Sequence, residues 1–174
     1  MVGKPNITAS SLHPKENVSV ILTCTSTNAE KILWSRVPSG APLPSGATLS
    51  QDNRTVIFSR INRSDSGDYR CQASNPVSTE NSDPVTIKVA YGPENVKVKS
   101  TSSSNSLILL ECSADSVPPA IYYWKLNETV LKQQSQLEVD QEKAENEGTY
   151  TCVANNSVTQ LTAMDSIYVN STFG

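Results

Sequence analysis

Long apolar runs are missing from this 174-residue chain, and so is any concentration of charge. No stretch of about 18 apolar residues occurs, which excludes a membrane-spanning helix within it. The N-terminus also lacks the basic and apolar regions of a signal peptide. The net charge is −3, from 14 Lys and Arg against 17 Asp and Glu. No basic face is therefore predicted that would hold nucleic acid or an anionic membrane. Histidine is nearly absent: His13 stands alone, before Pro14 in an expected surface loop. Nothing near it reads as a nucleophile or an orienting group, so general-base chemistry is not expected. There is no glycine-rich phosphate loop.

Cysteine is scarce too, but its placement is informative. Cys24 and Cys71 fall in the first half of the chain, Cys112 and Cys152 in the second. Two bridges within two units of roughly 85 residues are predicted, and no thiolate is then left for zinc or catalysis. A unit of that size buries only about 60–65% of its unfolded surface. Closing each long loop contributes about 4 kcal/mol in the chain-entropy description, which helps a small core hold. The expected boundary gives units 1–91 and 92–174, joined at Tyr91-Gly92-Pro93.

Within each half, apolar residues alternate in short runs, the mark of half-buried strands, and no segment sustains a helical period. The first half reads Val18-x-Val20-x-Leu22-x-Cys24, then Ile32 with Trp34, Val56 with Phe58, Tyr69-x-Cys71-x-Ala73, and Val85-x-Ile87-x-Val89. The second repeats the order with Ile108, Leu110 and Cys112, then Tyr122 and Trp124, Leu137 and Val139, Tyr150, Cys152 and Ala154, and Ile167 and Val169. An internal repeat this long signals tandem domains. Pro38 to Gly46 and Asp65 to Gly67 read as turns, and Ser100 to Ser106 as a polar loop.

Trp34 and Trp124 follow the first cysteine of their halves by 10 and 12 residues, and Tyr69 and Tyr150 precede the second by two. Residues two apart on a strand share a face, so each Tyr points inward with its Cys. The segment Asp65-Ser66-Gly67-Asp68-Tyr69-Arg70-Cys71 fits the immunoglobulin pattern Asp-x-Gly-x-Tyr-x-Cys, in which the indole packs on the bridge and the tyrosine hydroxyl bonds to corner backbone. The fold class predicted is all-β, two tandem immunoglobulin-like β-sandwiches of C2 or I type. The short cysteine separations leave little room for the extra strands of a variable-type domain.

The second half departs from the pattern twice. Asn146 replaces the corner Asp, so no buried ion pair is expected there, and Glu142 stands where the first half has Ile61. A looser second corner is predicted.

The first half resembles the A-type repeats of the carcinoembryonic-antigen-related adhesion molecules through Lys4-Pro5-Asn6-Ile7, Asn53-Arg54-Thr55 and Asn75-Pro76-Val77-Ser78. The second resembles their B-type repeats through Cys112-Ser113-Ala114, Pro118-Pro119-Ala120 and Gly148-Thr149-Tyr150-Thr151-Cys152. Tyr91-Gly92-Pro93 is similar to that family's linker. The hepatocyte cell adhesion molecules are a neighbouring family. The resemblance implies adhesion or recognition at the cell surface, by binding the same protein or a relative, with no cofactor and no enzymatic role. A glycosylated stalk that carries a binding domain elsewhere is the second reading.

Seven Asn-x-Ser/Thr signals fit that setting: Asn6, Asn17, Asn53, Asn62, Asn127, Asn155 and Asn170. Such signals and disulfides belong to secreted chains. The chain is therefore expected to be a piece of a longer ectodomain, secreted or at the cell surface, with any anchor outside it. Hydrated glycans make a poor contact face, so the bare face is the one of interest. The acidic stretch Glu138, Asp140, Glu142, Glu145 and Glu147 lacks the ordered spacing of a calcium loop and reads as solvated.

Overall fold

The structure, a computed structural model, describes residues 1–172. It divides into two units, Met1–Ala90 and a second that begins at Tyr91. Tyr91 pairs with Val117, which places it with the second unit, one residue from the boundary expected after it. The last two residues, to which the second unit was expected to run, lie outside the described part.

Strands are numbered in chain order. The first unit holds β1 (Asn6–Ala9), β2 (Val20–Thr25), β3 (Lys31–Val37), β4 (Ala47–Leu49), β5 (Thr55–Phe58), a 3-10 turn at Arg63–Asp65, β6 (Gly67–Ser74), β7 (Thr79–Asn81) and β8 (Val85–Ile87). These form two antiparallel sheets, β1-β2-β5-β4 and β3-β6-β7, with β8 also on β6. Alternation brings Val20, Leu22, Val56 and Phe58 from one sheet against Ile32, Trp34, Tyr69 and Ile87 from the other. Val18 is the exception to the expected run. It is exposed, because β2 starts only at Val20.

The second unit holds β9 (Tyr91–Ser102), β10 (Leu107–Val117), β11 (Ile121–Leu126), β12 (Thr129–Val130), β13 (Gln136–Asp140), a 3-10 turn at Ala144–Asn146, β14 (Gly148–Asn155) and β15 (Thr162–Val169). The sheets are β13-β10-β9 and β12-β11-β14-β15. Leu110, Trp124, Leu137, Val139 and Tyr150 make the core. The polar run Ser100 to Ser106 is only partly a loop. Ser100 and Ser102 pair with Leu110 and Ile108, since an edge strand tolerates Ser and Thr facing water.

The fourth strand joins a different sheet in each unit, and local chemistry explains the difference. After β3 the chain turns through Gly40, whose N–H meets the Arg36 carbonyl at 2.8 Å. Pro42 and Pro44 then offer no N–H for continued pairing with β3. The chain crosses over and pairs as β4 with β5, Ala47 opposite Phe58 and Leu49 opposite Val56. In the second unit Asn127 adopts a left-handed φ of 53° and turns the chain within two residues. Thr129 and Val130 then fold back on Leu126 and Lys125 as β12. An added strand beside β11 therefore does exist, although a short one, where the cysteine separation suggested little room.

Candidate functional site

Cys24 is bridged to Cys71 and Cys112 to Cys152, with Cα atoms 6.4 and 6.3 Å apart. These spans suit a bridge between facing sheets. Trp34 and Trp124 lie opposite Cys71 and Cys152 on the neighbouring strands. Both are buried.

Each corner is closed by its tyrosine. The Tyr69 hydroxyl donates to the Asp65 carbonyl, and that of Tyr150 to the Asn146 carbonyl at 2.6 Å. Burial pushes Tyr69 up to about 12, although the Arg36 guanidinium over its ring pulls the other way. Burial raises Tyr150 as well. Gly67 and Gly148 lead into these tyrosines at φ 149°, and a Cβ on Gly148 would meet Asn127 Oδ1 at 2.9 Å. Glycine in the corner motif is thus a steric requirement.

The first corner is the better braced. Asn62 Oδ1 accepts from Ser64 N–H at 2.9 Å, while Asp65 Oδ2 accepts from Asn62 N–H at 3.0 Å, a reciprocal cap. Arg63 grips Glu16 through Nε at 2.9 Å and Nη2 at 2.8 Å, which holds the Glu16 carboxyl below its usual value. The second corner turn has no side-chain cap, and Asn146 Nδ2 instead donates to the Asp140 carbonyl at 2.9 Å. Glu142 is exposed, whereas Ile61 is fully buried.

The structural role of one pair of asparagines is not evident from the motifs. Asn75 and Asn156 each stand four residues after the second cysteine of their unit. Asn156 is 1% exposed. Its Nδ2 lies 3.0 Å from the Tyr91 carbonyl, 2.9 Å from Ser116 Oγ and 3.0 Å from the Val117 carbonyl, and its Oδ1 accepts from Val158 and Thr159 N–H groups. Asn75 does the same on a smaller scale with Asn28, Val77 and Ser78. The recurring spacing was the available signal.

His13 is exposed. Among the described residues no three His, Cys, Asp or Glu side chains converge as a metal site, and no helix is long and apolar enough to cross a membrane. Glu138 and Asp140 sit on β13, and Glu142 and Glu145 follow them at the corner.

The sequons separate by sheet. In the first unit Asn6 lies on β1, Asn53 in the β4–β5 turn, Asn17 before β2 and Asn62 just after β5. Asn6, Asn17 and Asn53 thus lie on the β1-β2-β5-β4 sheet or beside its strands, and Asn62 caps the corner that leads from β5 to β6. The outer face of β3 and β6 carries none. By alternation it presents Lys31, Leu33 and Ser35 beside Asp68, Arg70 and Gln72, with Leu33 paired to Gln72 and 59% exposed. In the second unit Asn127 is in the β11–β12 turn, Asn155 ends β14 and Asn170 follows β15. There the sequons flank the opposite sheet, β12-β11-β14-β15. All of them are exposed except Asn155, which is half-buried.

The pattern of the immunoglobulin domain family matches residues 4–75 and 93–156. Two curated proteins, the cell adhesion molecule CEACAM16 of Rattus norvegicus and that of Mus musculus, are each 32% identical over 159 residues. That alignment covers 85% of this chain but only 38% and 37% of theirs, so the chain spans under two-fifths of the relatives it matches. Among solved structures, an amphioxus IgVJ-C2 molecule superposes with a TM-score of 0.61 at 18% identity, covering 90% of this chain and 98% of the other. Murine CEACAM1b gives 0.56 at 17%, covering 96% and 99%. At such identities the two structures speak for the fold alone.

Proposed function

Since the chain belongs to the immunoglobulin superfamily, with curated relatives among the carcinoembryonic-antigen-related adhesion molecules, we propose that it is an extracellular adhesion fragment whose glycan-free face on the first unit makes the contact. The observation that carries this reading is the segregation of sequons in the first unit. Glycans at Asn6, Asn17 and Asn53 would cover one side, and one at Asn62 the corner between the sheets, leaving the outer face of β3 and β6 open to a protein.

The open face has the composition of a contact surface. Leu33 supplies an exposed apolar centre, and Arg70, whose Nε is buried with no partner among the described residues, lies one strand away opposite Ser35. Asp68 and Lys31 give the face both signs of charge. A two-fold related copy can set Arg70 against Asp68, so association with the same protein or a relative is favoured. Each contact can be weak, because many copies on apposed surfaces act together. Disulfides and glycans suit a secreted or cell-surface setting, with partners that are proteins.

Sedimentation and bead aggregation of the glycosylated chain test the proposal. Self-association that is lost in Leu33→Asp and in Arg70→Glu is expected. Strict monomer at high micromolar concentration, with no bead aggregation, would instead make these units a stalk.

A further inference from the structure

The second unit leaves open a flank that the first unit closes. In the first, β4 pairs along the outer edge of β5, and Leu43 and Ala47 pack against the core beneath it. In the second, β13 pairs with β10 alone. Cys112 N–H donates to the Ser135 carbonyl at 2.9 Å, and Gln141 N–H to the Ser106 carbonyl at 2.8 Å. By antiparallel alternation, residues 135, 137, 139 and 141 face β10, and the backbone groups of Gln136, Glu138 and Asp140 face outward. Side-chain amides of Gln134 and Asn146 occupy the carbonyls of Gln136 and Asp140, at 2.6 and 2.9 Å. Glu138, between them, offers both its N–H and its C=O.

Beside this edge lies a cleft of about 390 Å³ whose apolar lining is Leu126, Val130, Leu131, Leu137, Val139 and Tyr150, with Lys132, Glu138 and Asn146 as its polar members. Val130 and Leu131 are 61% and 41% exposed, so apolar surface that the first unit covers is open here. The indole of Trp124, buried in the same core as Leu137 and Val139, carries a second, independent mark. Trp34 Nε1 donates to the Asn53 carbonyl at 2.8 Å, but Trp124 Nε1 is buried with no partner among the described residues. Aligning the units on the bonds Cys24 N to Arg54 O and Cys112 N to Ser135 O makes Gln134 the counterpart of Asn53. Asn53 turns its carbonyl inward from a left-handed φ of 61° in the β4–β5 turn. With no fourth strand beside β13, that turn does not form, and a backbone acceptor is missing on this side.

We propose that the β13 flank is a strand-addition site that takes an extended segment of a partner protein, alternating apolar and basic residues. Three features select this occupant. Pairing at Glu138 needs an extended main chain. The cleft accepts the guest's inward apolar side chains, as the first unit's core accepts Leu43 and Ala47. The outward side chains of the guest would lie beside Glu138 and Asp140 on β13, so they are Lys or Arg. A second copy's β13 fits poorly, since it would set carboxylate against carboxylate. The site lies in a different unit from the β3 and β6 face and does not rest on it.

The test is a nuclear magnetic resonance titration of the full chain with a synthetic eight-residue peptide alternating valine and lysine. The indole N–H resonance of Trp124 and the amide of Glu138 should shift together, and the Glu138 amide should gain protection from exchange. A peptide of four valines followed by four lysines, and one alternating valine and glutamate, should bind at least tenfold more weakly. Glu138→Pro removes an N–H that makes no ladder bond and should weaken binding tenfold or more. The double variant Glu138→Lys with Asp140→Lys should reverse the preference toward the valine–glutamate peptide, and it serves equally if the proline variant fails to fold. Absent shifts at millimolar peptide, equal binding of the block peptide, or unchanged binding by the charge-reversed chain would each overturn the proposal.

Discussion

The indole N–H of Trp34 meets the carbonyl of Asn53 at 2.8 Å, while Trp124, in the matching place, keeps its N–H buried with no partner among the described residues. A buried donor left unmet costs about 1–3 kcal/mol. The second unit also lacks a side-chain cap at its corner, worth about 1 kcal/mol more. Arg70 Nε of the first unit is likewise buried and unmet, so the two donors offset; the missing cap leaves the second unit about 1 kcal/mol less stable, and it is expected to unfold first. Hydrogen exchange followed by mass spectrometry in rising urea checks this. Loss of protection in β10, β11 and β14 should precede loss in β2, β3 and β6, and the reverse order would contradict it.

Asn156 gathers three oxygens from two separate segments, Tyr91 on β9 and Ser116 with Val117 on β10. Asn156→Ala strips those bonds from a buried site and should cost the second unit about 3 kcal/mol. Asn156→Asp should cost more, since a carboxylate would face the carbonyls of Tyr91 and Val117. Neither change alters the Asn155 sequon, whose middle residue is free to vary. Urea denaturation of glycosylated material separates the packing effect from any loss of glycan.

The phenol of Tyr69 supplies a pH signature. Its folded value of about 12 lies above the ordinary 10, so between those limits the folded state holds a proton that the unfolded state has lost. Stability is full below pH 10 and falls through this window by up to about 1.4 kcal/mol per pH unit. Tyr69→Phe should be less stable at pH 8, for want of the bond to Asp65, yet show a flatter decline above pH 10. Equal slopes for both proteins would refute the assignment.

Glycopeptide mapping should find Asn17, Asn53, Asn62 and Asn127, all exposed in turns or loops, well occupied. Asn155 is expected to be the poorest site. It is the one sequon that is half-buried, at the end of β14.

The fold was legible wherever a side chain's neighbours lie on its own strand. Alternation picks out Leu22, Trp34, Tyr69 and Trp124 as inward because a strand reverses face at each residue. The choice of sheet for the fourth strand was harder to read. It depends on Pro42 and Pro44 in one unit and on the turn at Asn127 in the other, local signals inside segments that alternate poorly. Asn156 was not legible as a hub, since its acceptors lie 39 to 65 residues away along the chain. The sequons could be counted from sequence, but their division between sheets needed the strand order. Alternation cannot say which of two faces lies beside a glycan.

A glycan placed on the bare face is the most direct test of the proposed contact. Gln72→Asn creates Asn-Ala-Ser at the centre of that face, opposite Leu33. Thr25→Asn creates Asn-Ser-Thr on β2, opposite Asn6, and serves as the control. With occupancy of both new sites verified, bead aggregation should be abolished by the glycan at position 72 and unaffected by that at 25. Aggregation that persists with a sugar on β6 would contradict the account.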